Sequence, residues 1–115
     1  MAVACGESPT SIRTYIVAYT LTAGSFVTFD SVRYRDTEGV LQKVVNPALP
    51  WGVAMPMDTG EEVEAFAWGR ATQGGQDAKL KVTWTISGVS TAGDSSFTRT
   101  TAPGDFTLVL VRHRI

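Results

Sequence analysis

Side chains able to do chemistry are few in this sequence and stand far apart. A nucleophile with its base would need Cys5 or a serine beside a histidine, and His113, in the basic end Val111-Arg112-His113-Arg114-Ile115, is the single histidine. Cys5 is the single cysteine, so no internal disulfide can form, and His113 reads as a partly exposed residue ending the last strand. Met55 and Met57 are two apart, which on a strand puts both thioethers on one face, where soft sulfur suits Cu(I). Without a methionine-rich repeat or a second histidine they read as core filler. Asp58, Glu61, Glu62 and Glu64 lack the ligand spacing of a calcium loop, and no spacing among the acids singles out the facing carboxylate pair of a glycosidase. Gly74-Gly75 lacks the lysine and the helix of a phosphate loop. The expectation is a protein without catalytic residues, metal or cofactor: not an enzyme.

Composition narrows the class further. The chain has 115 residues, 43% hydrophobic and 18% charged, the balance of one ordinary globular domain. A net charge of -1 supplies no field that would draw it onto nucleic acid. No apolar run is long enough for a transmembrane helix, and no complete secretory signal peptide is present. The start, MAVACGESPT, is similar to the end of a bacterial lipoprotein signal peptide, with Ala2, Val3 and Ala4 before Cys5 and a polar tether, Gly6 to Thr10, after it. The resemblance implies lipid attachment at Cys5, membrane contact through that anchor alone, and a cell-envelope address. With Met1 as the true start, the address becomes cytoplasmic and Cys5 a free thiol on the terminus.

Residues 1–10 thus read as a flexible tether and 11–115 as one domain, whose pattern has the period of strands. In AKLKVTWTIS, Leu80, Val82, Trp84 and Ile86 alternate with Lys79, Lys81, Thr83 and Thr85. In TYIVAYTL, Tyr15, Val17, Tyr19 and Leu21 share a face, and in SVRYRD Val32 and Tyr34 oppose Arg33 and Arg35. FTLVLVRH is apolar on both faces and is expected to be a central, deeply buried strand. Turn signals at DTEGV, DTGEE, TQGGQD and APGDF recur at the short intervals of an antiparallel sandwich or barrel, with seven or eight strands.

Two stretches invite a functional reading. In EEVEAFAWGR the small residues Val63, Ala65, Ala67 and Gly69 share one face, while Glu62, Glu64, Phe66, Trp68 and Arg70 share the other. Turning the small residues inward avoids burying Glu64 and leaves Phe66 and Trp68 outside, flanked by Arg70 and, from a neighbouring strand, by Arg33 or Arg35. Such a patch suits a protein partner or an apolar ligand. The other stretch, VVNPALPWGVAMPM, holds Pro47 and Pro50, which cannot donate ladder hydrogen bonds. It reads as a structural corner of Leu49, Pro50 and Trp51, in which the prolines end a strand and Leu49 and Trp51 plug the sandwich, in preference to a binding loop.

The run SVRYRDTEGVLQKVVNPALPW resembles the soluble domain of the MmpS-type small membrane proteins of mycobacteria. The matching features are Val32, Tyr34 and Asp36, then Gly39, Gln42, and the corner Leu49, Pro50 and Trp51. EVEAFAWG and KVTWTIS fall where that family has its next two strands. The resemblance implies an Ig-like β-sandwich outside the cytoplasm, without catalysis, acting as an accessory to a transporter. The combined expectation is an all-β, antiparallel Ig-like sandwich of seven to eight strands: a non-catalytic cell-envelope module binding a protein or apolar ligand. The alternative is an assembly protein, such as a phage or appendage component, working through edge-strand or face contacts; the oligomeric state stays open.

Overall fold

The structure, a computed structural model, describes residues 13–86 and 89–115, so the tether lies outside the described residues. Among the described residues there are eight strands and no helix: β1 Thr14–Ala23, β2 Val27–Arg35, β3 Leu41–Val45, β4 Trp51–Asp58, β5 Glu62–Ala71, β6 Asp77–Ile86, β7 Val89–Arg99 and β8 Gly104–Arg114. They form two antiparallel four-stranded sheets packed face to face, one ordered β4-β1-β6-β7 and the other β3-β2-β5-β8. The chain is the antiparallel β-sandwich that its alternation implies.

Period-two patterning decides which side chains meet between the sheets. Val17, Tyr19 and Leu21 of β1 and Ala78, Leu80 and Val82 of β6 are buried, and Tyr15 and Trp84 pack on the same core. From the second sheet come Val27, Phe29 and Val32 of β2, Val63, Ala65, Ala67 and Ala71 of β5, and Leu108 and Leu110 of β8. Phe29 and Val32 are three residues apart, which on a regular strand would put them on opposite faces. A β-bulge between Phe29 and Ser31 takes up the extra residue and keeps both inward. Gly69 is small because the rings of Phe29 and Phe106 close over it: an added Cβ would meet them at 2.8 and 2.7 Å.

The turns follow their chemistry. Gly39, Gly60 and Gly75 sit at φ of 79°, 96° and 74° in the turns after β2, β4 and β5, where L side chains are strained. The carboxylate of Asp36 organises the β2–β3 hairpin by accepting hydrogen bonds from the amides of Glu38 and Val40 and from Nε2 of Gln42. Those bonds, the Gln42 one first, hold its carboxyl below the usual carboxylate range. At the proline corner Pro47 is buried, the Leu49–Pro50 peptide is cis, and Leu49 and Trp51 pack half-buried against the core. Pro50 itself is exposed. Trp51 continues an aromatic row with Tyr34 and Tyr19, whose ring centroids are 5.6 and 5.5 Å apart along it.

The strand FTLVLVRH departs from its expected place. β8 lies at the edge of its sheet, with Leu108 and Leu110 buried but Val109 and Val111 exposed. Apolar residues on both faces here mark one face in the core and a second, uncovered apolar face. β7, in contrast, carries the serine- and glycine-rich run VSTAGDSSFTR and has no alternation to announce it. It pairs with β6 over ten register positions from Asp77↔Arg99 to Ile86↔Val89.

The two ends of the described domain meet on one turn. The amide of Arg13 donates to Oγ1 of Thr59 and that of Thr59 to the Arg13 carbonyl, while Gly60 donates to the Ile115 carbonyl and Ile115 to that of Glu61.

A polar link crosses the core among the described residues. The Tyr19 hydroxyl, on β1, donates to the Arg35 carbonyl of β2 at 2.8 Å and accepts from the Glu64 amide of β5 at 3.3 Å. The β2–β5 register ends at Tyr34↔Ala65, so the hydroxyl bridges the pair of backbone groups just beyond the ladder. Burial raises the Tyr19 hydroxyl to about 12, although the Glu64 amide and Arg35 favour the ionised form. Replacing Tyr19 by Phe should cost about 1–3 kcal/mol, because two backbone groups lose their partner. In the wild type, stability present below the unfolded value of about 10 should fall as pH rises from there toward 12. Urea melts at stepped alkaline pH should show that extra slope in the wild type and not in Tyr19→Phe.

Candidate functional site

The residues of ordinary chemistry are spread and engaged. His113 Nε2 lies 2.9 Å from Asp94 Oδ2 across the gap between β8 and β7, and its ring centroid is 6.1 Å from that of Trp84. No serine or cysteine among the described residues is hydrogen-bonded to that imidazole. Ser96, which caps the Val109 amide at 3.3 Å, makes a second tie between β7 and β8. These contacts close one side of the sandwich. Met57 is buried and Met55 half-buried against the core, so both thioethers are used in packing. Of the acids, Asp58 takes the Thr14 hydroxyl, Glu61 caps the Asp58 amide, Glu62 faces Arg112 and Arg114 at 3.6 and 3.5 Å, and Glu64 holds Arg35. Among the described residues no three His, Cys, Asp or Glu side chains converge. Gly74 and Gly75 sit in the turn before β6, where the Gly75 amide donates to the Thr100 carbonyl. Cys5 lies outside the described residues.

The outer face of the β3-β2-β5-β8 sheet is different, and the register lays it out in rows. Val45, Ser31, Trp68 and Thr107 follow one another across β3, β2, β5 and β8, and the next row is Lys43, Arg33, Phe66 and Val109. Leu41 and Arg35 begin the third, which meets Glu64 and, on β8, the exposed Val111 beside a bulge. Cross-strand neighbours of this kind have Cβ atoms about 4.5–5.5 Å apart, so these rows make one continuous surface. Val45 is 62% exposed, Val109 51% and Trp68 38%. Phe66 meets Trp68 edge to face, with centroids 5.2 Å apart and an interplanar angle of 87°.

The small residues of β5 do face the core and its aromatics face outward, as the burial argument for Glu64 requires. Of the three arginines expected beside them, Arg33 alone sits on the aromatics, its Cζ 5.5 Å from the Trp68 ring centroid. Arg35 is turned aside, bonded through Nε and Nη2 to Glu64 and through Nη1 to the Gly39 carbonyl. Arg70 pairs with Asp105 at 2.8 Å at the far end of β5. Sequence reasoning missed Leu41, Val45, Val109 and Val111, which extend the patch onto both edge strands. The signal was present in β8, as apolar residues on both faces, and was assigned to a covered sheet.

An apolar sheet face open to water is costly in the free protein, and a surface of this kind marks a contact site more often than chance. Its mixture of aromatic, aliphatic and guanidinium groups spread over a sheet face fits a macromolecular surface better than a small molecule, which needs a concave site. A concavity of about 470 Å³ on the opposite side of β2 is lined by Tyr34, Gln42, Val53 and Met55 together with Asp36 and Glu38, and one of about 380 Å³ lies between Arg35, Asp36, Glu61, Glu62 and Arg114.

The Asp94–His113 tie should show in acid. The hydrogen bond from His113, aided by the Ser95 amide, holds the Asp94 carboxyl below its usual range. A depressed carboxylate contributes stability above the unfolded value of about 3.9 that is lost as pH falls through the folded one. Asp94→Asn should therefore be the less stable protein at pH 6 and converge with the wild type in melts below that range. No family model matches the chain, and comparison with curated proteins finds no match.

Proposed function

We propose that this chain is a non-catalytic binding module that docks a protein partner on the outer face of its β3-β2-β5-β8 sheet. The observation that supports it most is the set of exposed apolar side chains that β3, β5 and β8 present on one sheet face, with Ser31 and Arg33 of β2 between them, centred on the Phe66–Trp68 pair. Tryptophan, phenylalanine and arginine at the centre of a patch are the residue types in which binding free energy concentrates. The Ala2-Val3-Ala4-Cys5 start supports an address in the cell envelope, with the tether holding the module near a membrane through lipid on Cys5. The resemblance to transport-accessory domains agrees with that reading.

The assembly reading, in which edge strands pair with neighbours, has less support. β4 carries Pro56, which has no amide hydrogen to donate, β3 has five residues, and β7 and β8 are tied to one another at their shared side.

Two measurements test the proposal. Val109→Ser should leave the thermal midpoint within about 2 °C of the wild type, and Trp68→Ser, which gives up the contact with Phe66, should lower it by about 2–10 °C while still melting cooperatively; both should abolish capture of peptides selected on the wild-type protein. Unchanged capture by both variants would remove this face from the function. For the address, cells given labelled palmitate should yield a labelled product that Cys5→Ser lacks; an unlabelled, freely soluble wild type would remove the anchor.

A further inference from the structure

The middle row of the outer face holds an arrangement that folding alone does not explain. Arg33 on β2 stands directly opposite Lys43 on β3, and like charges facing each other across an antiparallel pair oppose folding. Neither makes an ion pair among the described residues. Glu64 is taken by Arg35 and Asp105 by Arg70, and Asp30, at the β2 bulge, makes no ion pair with either cation. Arg33 is also held in place. Its Cζ lies 5.5 Å from the Trp68 ring centroid, and its Nε is covered with no hydrogen-bond partner. A guanidinium already resting on an aromatic ring loses less freedom when it takes up a carboxylate than a side chain that must first be ordered.

We propose that Arg33 and Lys43 form the anion-binding centre of this face, and that its occupant is a segment of another protein placing an Asp or Glu carboxylate between apolar side chains. The proposal rests on the binding-module reading and names the chemistry of its partner. Two adjacent cations lacking a counter-charge call for an anion, and Leu41, Val45, Phe66, Trp68 and Val109 around them call for apolar flanks. A second copy of the chain fits poorly. A two-fold contact through this face would set the Arg33–Lys43 pair against itself. An anionic membrane surface is usually read by four to eight clustered cations, and here two sit in an apolar surround.

A phage-displayed random dodecapeptide library selected on the immobilised folded protein supplies the probe, followed by affinities for the enriched peptides made synthetically. Enriched peptides should carry Asp or Glu beside aromatic or aliphatic residues. They should bind the Arg33→Gln/Lys43→Gln variant about tenfold or more weakly, and an acid-to-amide change in the peptide should weaken binding by a similar factor. Lys43→Glu, which sets opposite charges face to face, should raise the thermal midpoint by about 1–4 °C while removing peptide binding. Should the double variant fail to fold, Lys43→Gln alone, on an exposed edge strand, carries the comparison. Peptides without acids, bound equally by the double variant but lost with Trp68→Ser, would overturn this inference and leave the binding module standing. Peptides indifferent to both changes, or no enrichment, would overturn both. A wild-type dimer in sedimentation that Trp68→Ser disperses would make a second copy the occupant and overturn the inference. Co-flotation with phosphatidylglycerol vesicles that the double variant loses would do so in favour of a lipid surface.

Discussion

The two sheets are joined through their interior by the Tyr19 hydroxyl, and much of the sandwich is arranged around it. A buried phenol needs its hydrogen bonds as much as it needs room for its ring. The bonds come from the Arg35 carbonyl and the Glu64 amide, where the β2–β5 ladder runs out. The room comes from β5, whose inward residues beside Val63 are Ala65, Ala67, Gly69 and Ala71. Large side chains on β1 and β6 thus face small ones on β5, which is how two layers interdigitate at crystal-like density. Aromatic contacts carry the arrangement outward from Tyr19 through Tyr34 to Trp51 at the proline corner. The same backbone segment sets Arg35 against Glu64, so the cross-core link and the ion pair on the other side of the sheet share their two residues.

A strand with so little bulk on its inner face carries its large residues on the outer one. Strict alternation leaves no third option, and Phe66 and Trp68 are where β5 puts its apolar area. The exposed surface is thus coupled to the interior through one strand: inverting β5 to hide the aromatics would bury Glu64 and remove the space that Tyr19 fills. The bulge at the start of β2 belongs to the same logic. It brings both Phe29 and Val32 inward and at the same time sets Ser31, small and nearly covered, between Val45 and Trp68 on the outer face.

How much of this the sequence discloses depends on whether one strand carries the information. The faces of β1, β5 and β6, the glycine turns and the inward Leu49 and Trp51 follow from local alternation and turn chemistry. β8 misled because an apolar residue on an edge strand and one in a covered strand look alike in sequence; strand order separates them, and strand order is non-local. β7 was silent for the opposite reason, since its serines and glycine carry no amphipathic period, and its place is held by ladder bonds to β6 and by Asp94 and Ser96 reaching β8. At the surface, the Phe66–Trp68 pair was legible from β5 alone. That Arg33 would rest on Trp68 while Arg35 turned to Glu64 depends on register and on a hairpin carbonyl at Gly39, neither of which the residues of SVRYRD encode by themselves.

The meeting of Arg13 and Ile115 on the turn at Thr59 to Glu61 has a mechanical side. Strand β1 runs from that pole between β4 and β6, hydrogen-bonded along both edges. A pull on the chain ahead of Thr14, directed along the strand, would load those ladders together in shear, where many bonds must fail at once. The outer face of the second sheet lies off that line of force. A load applied there would thus enter through the ladders of one sheet, and reach the other through the Tyr19 hydroxyl.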